Sequence, residues 1–224
     1  MARNHSSGTV RVSFAAILRI KADDRYVLFD TPSRPGTFSP PGGVFKYFPS
    51  AERLLEGMGF REDRIDTLAE IMRLDLRGFL PAAATRDFCR WFAGGAYRED
   101  TAECLNRELA EELTECGLEH LVPCTGRLEF SRVRTVRTGL DEVPGRPYRQ
   151  IRRFEVCDLV TSEPAAQRLR EELIRAGRDD AVPTVIRATA ADIGYGRSGR
   201  ALIAGHASYL VGTERSQPDI PAIR

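Results

Sequence analysis

The sequence predicts a mixed α/β fold, and three observations carry that prediction. Val10 to Ile20 is a β-branched and aliphatic run, and a second run, Tyr26 to Phe29, returns after the turn Ala22-Asp23-Asp24. A helix with a clear start and stop is expected over about residues 100–116. Two more strand-like runs, Gly126 to Val136 and Tyr148 to Val160, flank a turn near Gly139 to Gly145. A chain of 224 residues with 42% apolar and 29% charged residues is enough for one sizeable core and hard to divide into two domains of typical size. One domain is therefore expected over residues 10–212, with flexible tails at 1–9 and 213–224.

Composition narrows the function classes. The net charge of +1 gives no global bias toward nucleic acid or a membrane surface. Basic residues are nearly all arginine, with only Lys21 and Lys46 as lysines. No apolar run is long enough for a transmembrane helix, and Met1 to Thr9 is polar, without the apolar stretch of a signal peptide. Cys89, Cys104, Cys116, Cys124 and Cys157 form no CxxC pair and read as reduced thiols of a cytoplasmic protein.

The elements follow in order. Thr31 to Gly43 holds four prolines and three glycines and reads as a loop. It ends in Pro40-Pro41-Gly42-Gly43-Val44, where the glycines let backbone approach a ligand closely. Pro49 to Met58 and Glu62 to Leu76 look helical, although Arg73, Asp75 and Arg77 alternate with Leu74 and Leu76 as an extended piece would. Leu54, Leu55, Met58, Ile65, Leu68 and Ile71 need burial, and Phe88, Trp91 and Phe92 form an aromatic anchor. Glu163 to Ala176 reads as a helix, Val182 to Ile186 as a strand and Gly194 to Gly199 as a flexible loop.

The helix from about Thr101 to Cys116 carries the chemistry. Asp100 and Glu103 make a capping box, and Gly117 is placed to end the helix. Ala102, Leu105, Leu109, Leu113 and Cys116 form an apolar stripe. Beside it Glu108, Glu111, Glu112 and Glu115 fall within an arc of about 100°. Like charges four residues apart destabilise a helix by a few tenths of a kcal/mol per pair, so local stability does not explain the cluster. A hard divalent cation does, since Mg²⁺ takes carboxylate oxygens and shares its shell with water and phosphate. The alternative is a solvated acidic face partly neutralised by Arg107.

Arg107-Glu108-Leu109-x-Glu111-Glu112, with Glu99 eight residues before Arg107, resembles the core of the Nudix box. That box runs Gly, five residues, Glu, seven residues, Arg-Glu-aliphatic-x-Glu-Glu-x-Gly-aliphatic. Two positions depart from it: Thr114 stands where the late Gly belongs, with Gly117 three residues on, and Ala93 stands at the opening Gly, beside Gly94-Gly95. In Nudix proteins a hairpin leads into a Pro-Gly-Gly segment just ahead of the box, so Gly42-Gly43 is its counterpart here. About 50 residues, roughly 46–95, are then inserted before the helix, more than a plain loop holds. Hairpin, Pro-Pro-Gly-Gly-Val, long insert ending in Trp91-Phe92, degenerate box and the late Ile203 to Leu210 segment together resemble the SMODS-associated Nudix family.

That resemblance implies an αβα sandwich with a mixed sheet and a largely helical insertion, and hydrolysis of a nucleoside diphosphate linked to another moiety. Residue by residue it implies Glu108, Glu111 and Glu112 as ligands of Mg²⁺ or Mn²⁺, with Glu111 or Glu112 also orienting the attacking water. Arg107 orients the glutamates, Glu99 supports them, and Gly43 offers its carbonyl to the metal. The base can also come from a later loop, where Glu142 is a candidate. It implies a setting in bacterial antiphage nucleotide-signalling operons, with a functional link to a nucleotidyltransferase. Among the arginines of the later hairpin, Arg132 and Arg134 are candidates for substrate phosphates, as guanidinium groups bind phosphate bidentately, against the alternative of a solvated edge. His206, in a mostly apolar segment, reads as structural. The competing reading is a Nudix-fold sensor that binds a nucleotide without cleaving it, favoured by Thr114 and the insert; an RNA-binding protein is a third, disfavoured by the near-neutral charge. No membrane partner is expected, and a homodimer is compatible with the sequence.

Overall fold

The computed structural model describes residues 8–63 and 73–218. In chain order the elements are β1 (Thr9–Arg19), β2 (Lys21–Ala22), β3 (Arg25–Thr31), β4 (Arg34–Ser39), β5 (Gly42–Val44) and α1 (Glu52–Gly57). Then come β6 (Arg61–Glu62), β7 (Arg77–Pro81), α2 (Thr85–Gly94), α3 (Thr101–Glu115) and β8 (Phe130–Arg137). β9 (Asp141–Glu142), β10 (Tyr148–Leu159), α4 (Pro164–Ala176), β11 (Val185–Thr189), α5 (Ala190–Tyr195), β12 (Arg197–Ser198) and β13 (Ala201–Ile203) follow. The fold is mixed α/β with two sheets. One has strand order β6-β7-β1-β10-β8, the other β11-β3-β4-β13-β12. No described helix is long and apolar enough to cross a membrane.

The chain forms two compact units, each from three segments. In the first (residues 1–15, 44–104 and 137–154), β7 runs antiparallel to β1 from Thr9↔Pro81 to Ser13↔Arg77. Its core is aromatic. Phe92 meets Phe14 edge-on at 4.7 Å and Phe45 at 5.2 Å, and Phe88 stacks on Phe60 at 5.5 Å. Phe88 and Phe92 are fully buried, so α2 is the anchor the sequence suggested. The aromatic contacts add about 0.5–1.5 kcal/mol each beyond area burial.

In the second unit (residues 16–43, 105–136 and 155–224) β3 pairs antiparallel with β11 and β4, and β4 pairs in parallel with β13. Leu28 and Phe29 on β3, Leu109 and Leu113 on α3, and Leu169 and Leu173 on α4 are buried in its core. Arg19 on β1 makes a paired hydrogen bond with Asp158 on β10 at 2.8 and 2.7 Å.

Several expectations need correction. The Thr31 to Gly43 segment is not simply a loop. Residues 34–39 form β4 because Thr37 and Phe38 are buried between two strands. Pro35 and Gly36 lie at its exposed start, before pairing with β13 begins at Thr37↔Leu202, so the missing proline N–H costs no ladder bond. Leu54, expected to be buried, is 43% exposed; Leu55 is buried and Met58 half-buried. The helix expected over Glu62 to Leu76 is absent at both ends. Glu62 lies in β6, Asp75 bridges to Lys46, and the extended piece continues into β7. Ile65, Leu68 and Ile71 lie outside the described residues. Thr9, assigned to the tail, starts β1. The strand expected over Val182 to Ile186 is shifted to β11. The loop expected from Gly194 is occupied by the end of α5 and by β12. Thr189 and Asp192 close a capping box on α5, a Thr-x-x-Asp signal that was readable.

A candidate metal and phosphate site

The acidic face stands on α3, whose two ends are fixed locally. The Asp100 N–H donates to Glu103 and the Glu103 N–H to Asp100, at 2.7 and 2.8 Å, closing the capping box. At the other end Gly117 has φ +75°, its N–H donates to the Thr114 carbonyl, and the Leu118 N–H donates to the Leu113 carbonyl. This pair of bonds is a Schellman cap. It accounts for Thr114. The helix continues through that position, with the Thr114 hydroxyl donating to the Ala110 carbonyl at 3.0 Å, and the glycine that ends it comes three residues later. The extra turn places Glu115 on the acidic face.

Gly42 and Gly43 face that helix. The Gly42 N–H donates to the Glu112 carboxylate at 2.8 Å. Gly42 has φ +114°, and a Cβ there would run into the Ala16 carbonyl oxygen. A Cβ on Gly43 would run into the carboxylate of Glu108. This dipeptide lets backbone lie against two of the glutamates. Arg107 donates to Glu108 at 2.8 Å and approaches Glu111 at 3.4 Å.

The electrostatics follow from this crowding. Burial pushes the Glu112 carboxyl well above the usual carboxylate range; Glu108 adds to the shift, the Gly42 N–H opposes it, and Glu115 and Glu111 add again. Glu115 is also raised, by burial and then by Glu111. Burial, with Glu112, Glu115 and Asp30, pushes the Cys116 thiol up to about 12. All five cysteines are free.

This is excess negative charge built from hard oxygen donors, the donor chemistry that suits Mg²⁺ or Mn²⁺. Among the described residues no three carboxylate, histidine or cysteine side chains converge on one point. The chemistry of the donor set fits a divalent ion.

The other expected site residues fall elsewhere. Glu99, in the first unit, is 7% exposed and accepts the Lys46 N–H at 2.8 Å. Arg132 is exposed and Arg134 half-buried on β8. Among the described residues neither is bonded to the acidic helix; Arg132 lies close enough to Cys157 to oppose the rise of its thiol. Glu142 is exposed on β9, opposite Arg149. His206 sits half-buried in the 3-10 turn Gly205–Leu210. Sequence reasoning gave Gly43 a metal-facing carbonyl but missed the Gly42 N–H on Glu112, for which no local signal exists.

A glycine pair laid against a capped helix that carries Arg-Glu-Leu-Ala-Glu-Glu marks a Nudix-type domain. More narrowly, the chain belongs to the SMODS-associated NUDIX domain family, whose model matches residues 9–211, nearly the whole chain. Comparison with curated proteins and with solved structures gives no match.

Proposed function

We propose that the chain is a divalent-metal-dependent pyrophosphohydrolase acting on a nucleoside diphosphate linked to another moiety. The observation that carries this reading is the fit of Gly42-Gly43 against Glu112 and Glu108. A solvated acidic face has no need of backbone with room for no Cβ. Glu108, Glu111 and Glu112 would hold Mg²⁺ or Mn²⁺, which when bound polarises phosphoryl oxygens as a Lewis acid. Arg107 holds Glu108 and Glu111 in place, and the Gly42 N–H fixes the rotamer of Glu112. Glu111 or Glu112 orients the attacking water. Its oxygen bonds to one phosphorus as the anhydride P–O bond breaks, and its proton passes to a carboxylate, either of this pair or of Glu142 on the later hairpin. Glu99 supports the helix start, and Arg132 and Arg134 are assigned to the substrate's phosphates.

The αβα sandwich that the family implies, and the single domain over 10–212 expected from the length of the chain, belong to this proposal. So do a cytoplasmic setting, a role in antiphage nucleotide signalling beside a nucleotidyltransferase, and the homodimer. The sensor reading is favoured by one observation, that Arg107 already engages two of the three glutamates.

A panel of dinucleotides, nucleotide sugars, nucleoside triphosphates and signalling nucleotides, incubated with Mg²⁺ and Mn²⁺ and read by mass spectrometry, separates the two readings. The expected outcome is a split phosphoanhydride in wild type and a sharp loss of activity and metal affinity in Glu111→Gln and Glu112→Gln. Nucleotide binding without any product establishes the sensor.

A further inference from the structure

We infer that Arg98, which lies outside the acidic face, is a positioning residue that ties the insert to the start of the acidic helix. The inference rests on the metal-face reading above for its consequence and on geometry within the first unit for its substance.

The segment Phe45–Phe48 continues from Gly43 and lies between two neighbours. On one side the Leu76 N–H donates to the Phe45 carbonyl, and the Tyr47 N–H donates to the Leu74 carbonyl. On the other the Glu99 N–H donates to the Lys46 carbonyl, and the Phe48 N–H donates to the Tyr97 carbonyl. The Glu99 carboxylate closes a reciprocal bond to the Lys46 N–H at 2.8 Å. The chain that leaves Gly43 is therefore latched at Lys46 to the residue just ahead of the Asp100 cap.

Arg98 sets the other side of that latch. Its Nε donates to the Phe92 carbonyl at 2.8 Å, at the last turn of α2, and its Nη1 donates to the Glu99 carbonyl. The guanidinium carbon lies 3.8 Å from the Phe92 ring centre and 5.5 Å from that of Phe45. One flat cation thus joins the end of the insert's helix, Glu99 of the box and the aromatic residue two positions beyond Gly43. A guanidinium can stack on a ring and donate along two edges at once; an ammonium cannot. Arg98 adds a second donor to the Phe92 carbonyl, which also accepts the Gly95 N–H at the end of α2. On this inference the insert helps hold the chain that leaves Gly43, at Lys46, to the start of α3.

The test compares wild type with Arg98→Lys and Arg98→Ala, and with Ile174→Val on α4 as a core substitution of similar effect on the thermal midpoint. Two quantities are read: the amide exchange rate of Lys46 in the metal-free protein, and the Kd for Mn²⁺ by calorimetry. Arg98→Lys should speed Lys46 exchange and raise the Mn²⁺ Kd about tenfold, the usual consequence of losing a residue that orients metal ligands. Ile174→Val should change neither. Unchanged Lys46 exchange in Arg98→Lys overturns the inference, as does an equal rise in Kd in Ile174→Val. If wild type binds no Mn²⁺, the metal-face reading fails by itself, and Lys46 exchange still decides the place of Arg98. If Arg98→Ala does not fold, Arg98→Lys carries the test.

Discussion

At the residue scale the two glycines make opposite predictions. Gly42 has φ +114° and no room beside the Ala16 carbonyl, so Gly42→Ala strains the backbone and should cost about 1–3 kcal/mol of stability, read as a lower urea midpoint. Gly43 is not in the left-handed region, and the atoms nearest to a Cβ there belong to the end of the Glu108 side chain, which can turn away. Gly43→Ala should therefore fold with nearly wild-type stability and lose function. A ligand displaced by about 1 Å can cost on the order of a hundredfold in rate. Equal activity in wild type and Gly43→Ala would remove the close approach from the mechanism. Glu112 gives a pH prediction. Its folded-state pKa is raised, so the folded state holds this proton more tightly than the unfolded chain, whose value is near 4.5. The contribution to stability is fully present below that value and is lost as pH rises through the folded pKa. Urea midpoints of the metal-free protein should show this fall, and Glu112→Gln should lack it. Identical profiles would mean that the crowding of the acidic face costs nothing.

At the element scale, legibility followed the range of the forces involved. α3 was readable almost to the residue, because its caps at Asp100/Glu103 and Gly117 and its stripe of leucines are all local. β1, the β8–β10 pair and α4 were readable for the same reason. β4 was not, since Pro35 and Gly36 outweigh Thr37 and Phe38 in any local window, and what makes it a strand is pairing with β13 more than 160 residues away. The site divides the same way. Glu108, Glu111 and Glu112 are visible as a helix face, whereas the contacts of Gly42 with Glu112 and of Glu99 with Lys46 join residues 70 and 53 positions apart. The insert follows as a prediction. Phe88 and Phe92 are fully buried in the aromatic core, so amides across Thr85–Gly94 should exchange slowly in the native protein. Phe92→Ala should cost about 3–5 kcal/mol. Rapid exchange throughout α2 would show that the insert is not docked.

At the scale of the whole molecule, charge decides between a small and a large polyanion. The 33 basic and 32 acidic residues leave a net charge of +1. Acids gather on α3, while β8 carries Arg132 and Arg134 and β10 carries Arg149, Arg152 and Arg153. A nucleotide diphosphate needs only a few phosphate contacts, of the kind that two arginines such as Arg132 and Arg134 on β8 can supply. A nucleic-acid ligand draws on many more, and with six to ten contacts its affinity falls by about 10³–10⁵ between 50 and 200 mM salt. The expectation is that KM for the nucleotide found in the panel rises only a few-fold over that range. Arg132→Ala and Arg134→Ala should raise KM further with little change in thermal midpoint, because substitutions of this kind away from the core are mild. A single-stranded RNA added as competitor should leave the rate unchanged at 150 mM salt. Tight, steeply salt-dependent RNA binding that is lost in Arg132→Ala and Arg134→Ala would assign the arginine group to a nucleic-acid backbone.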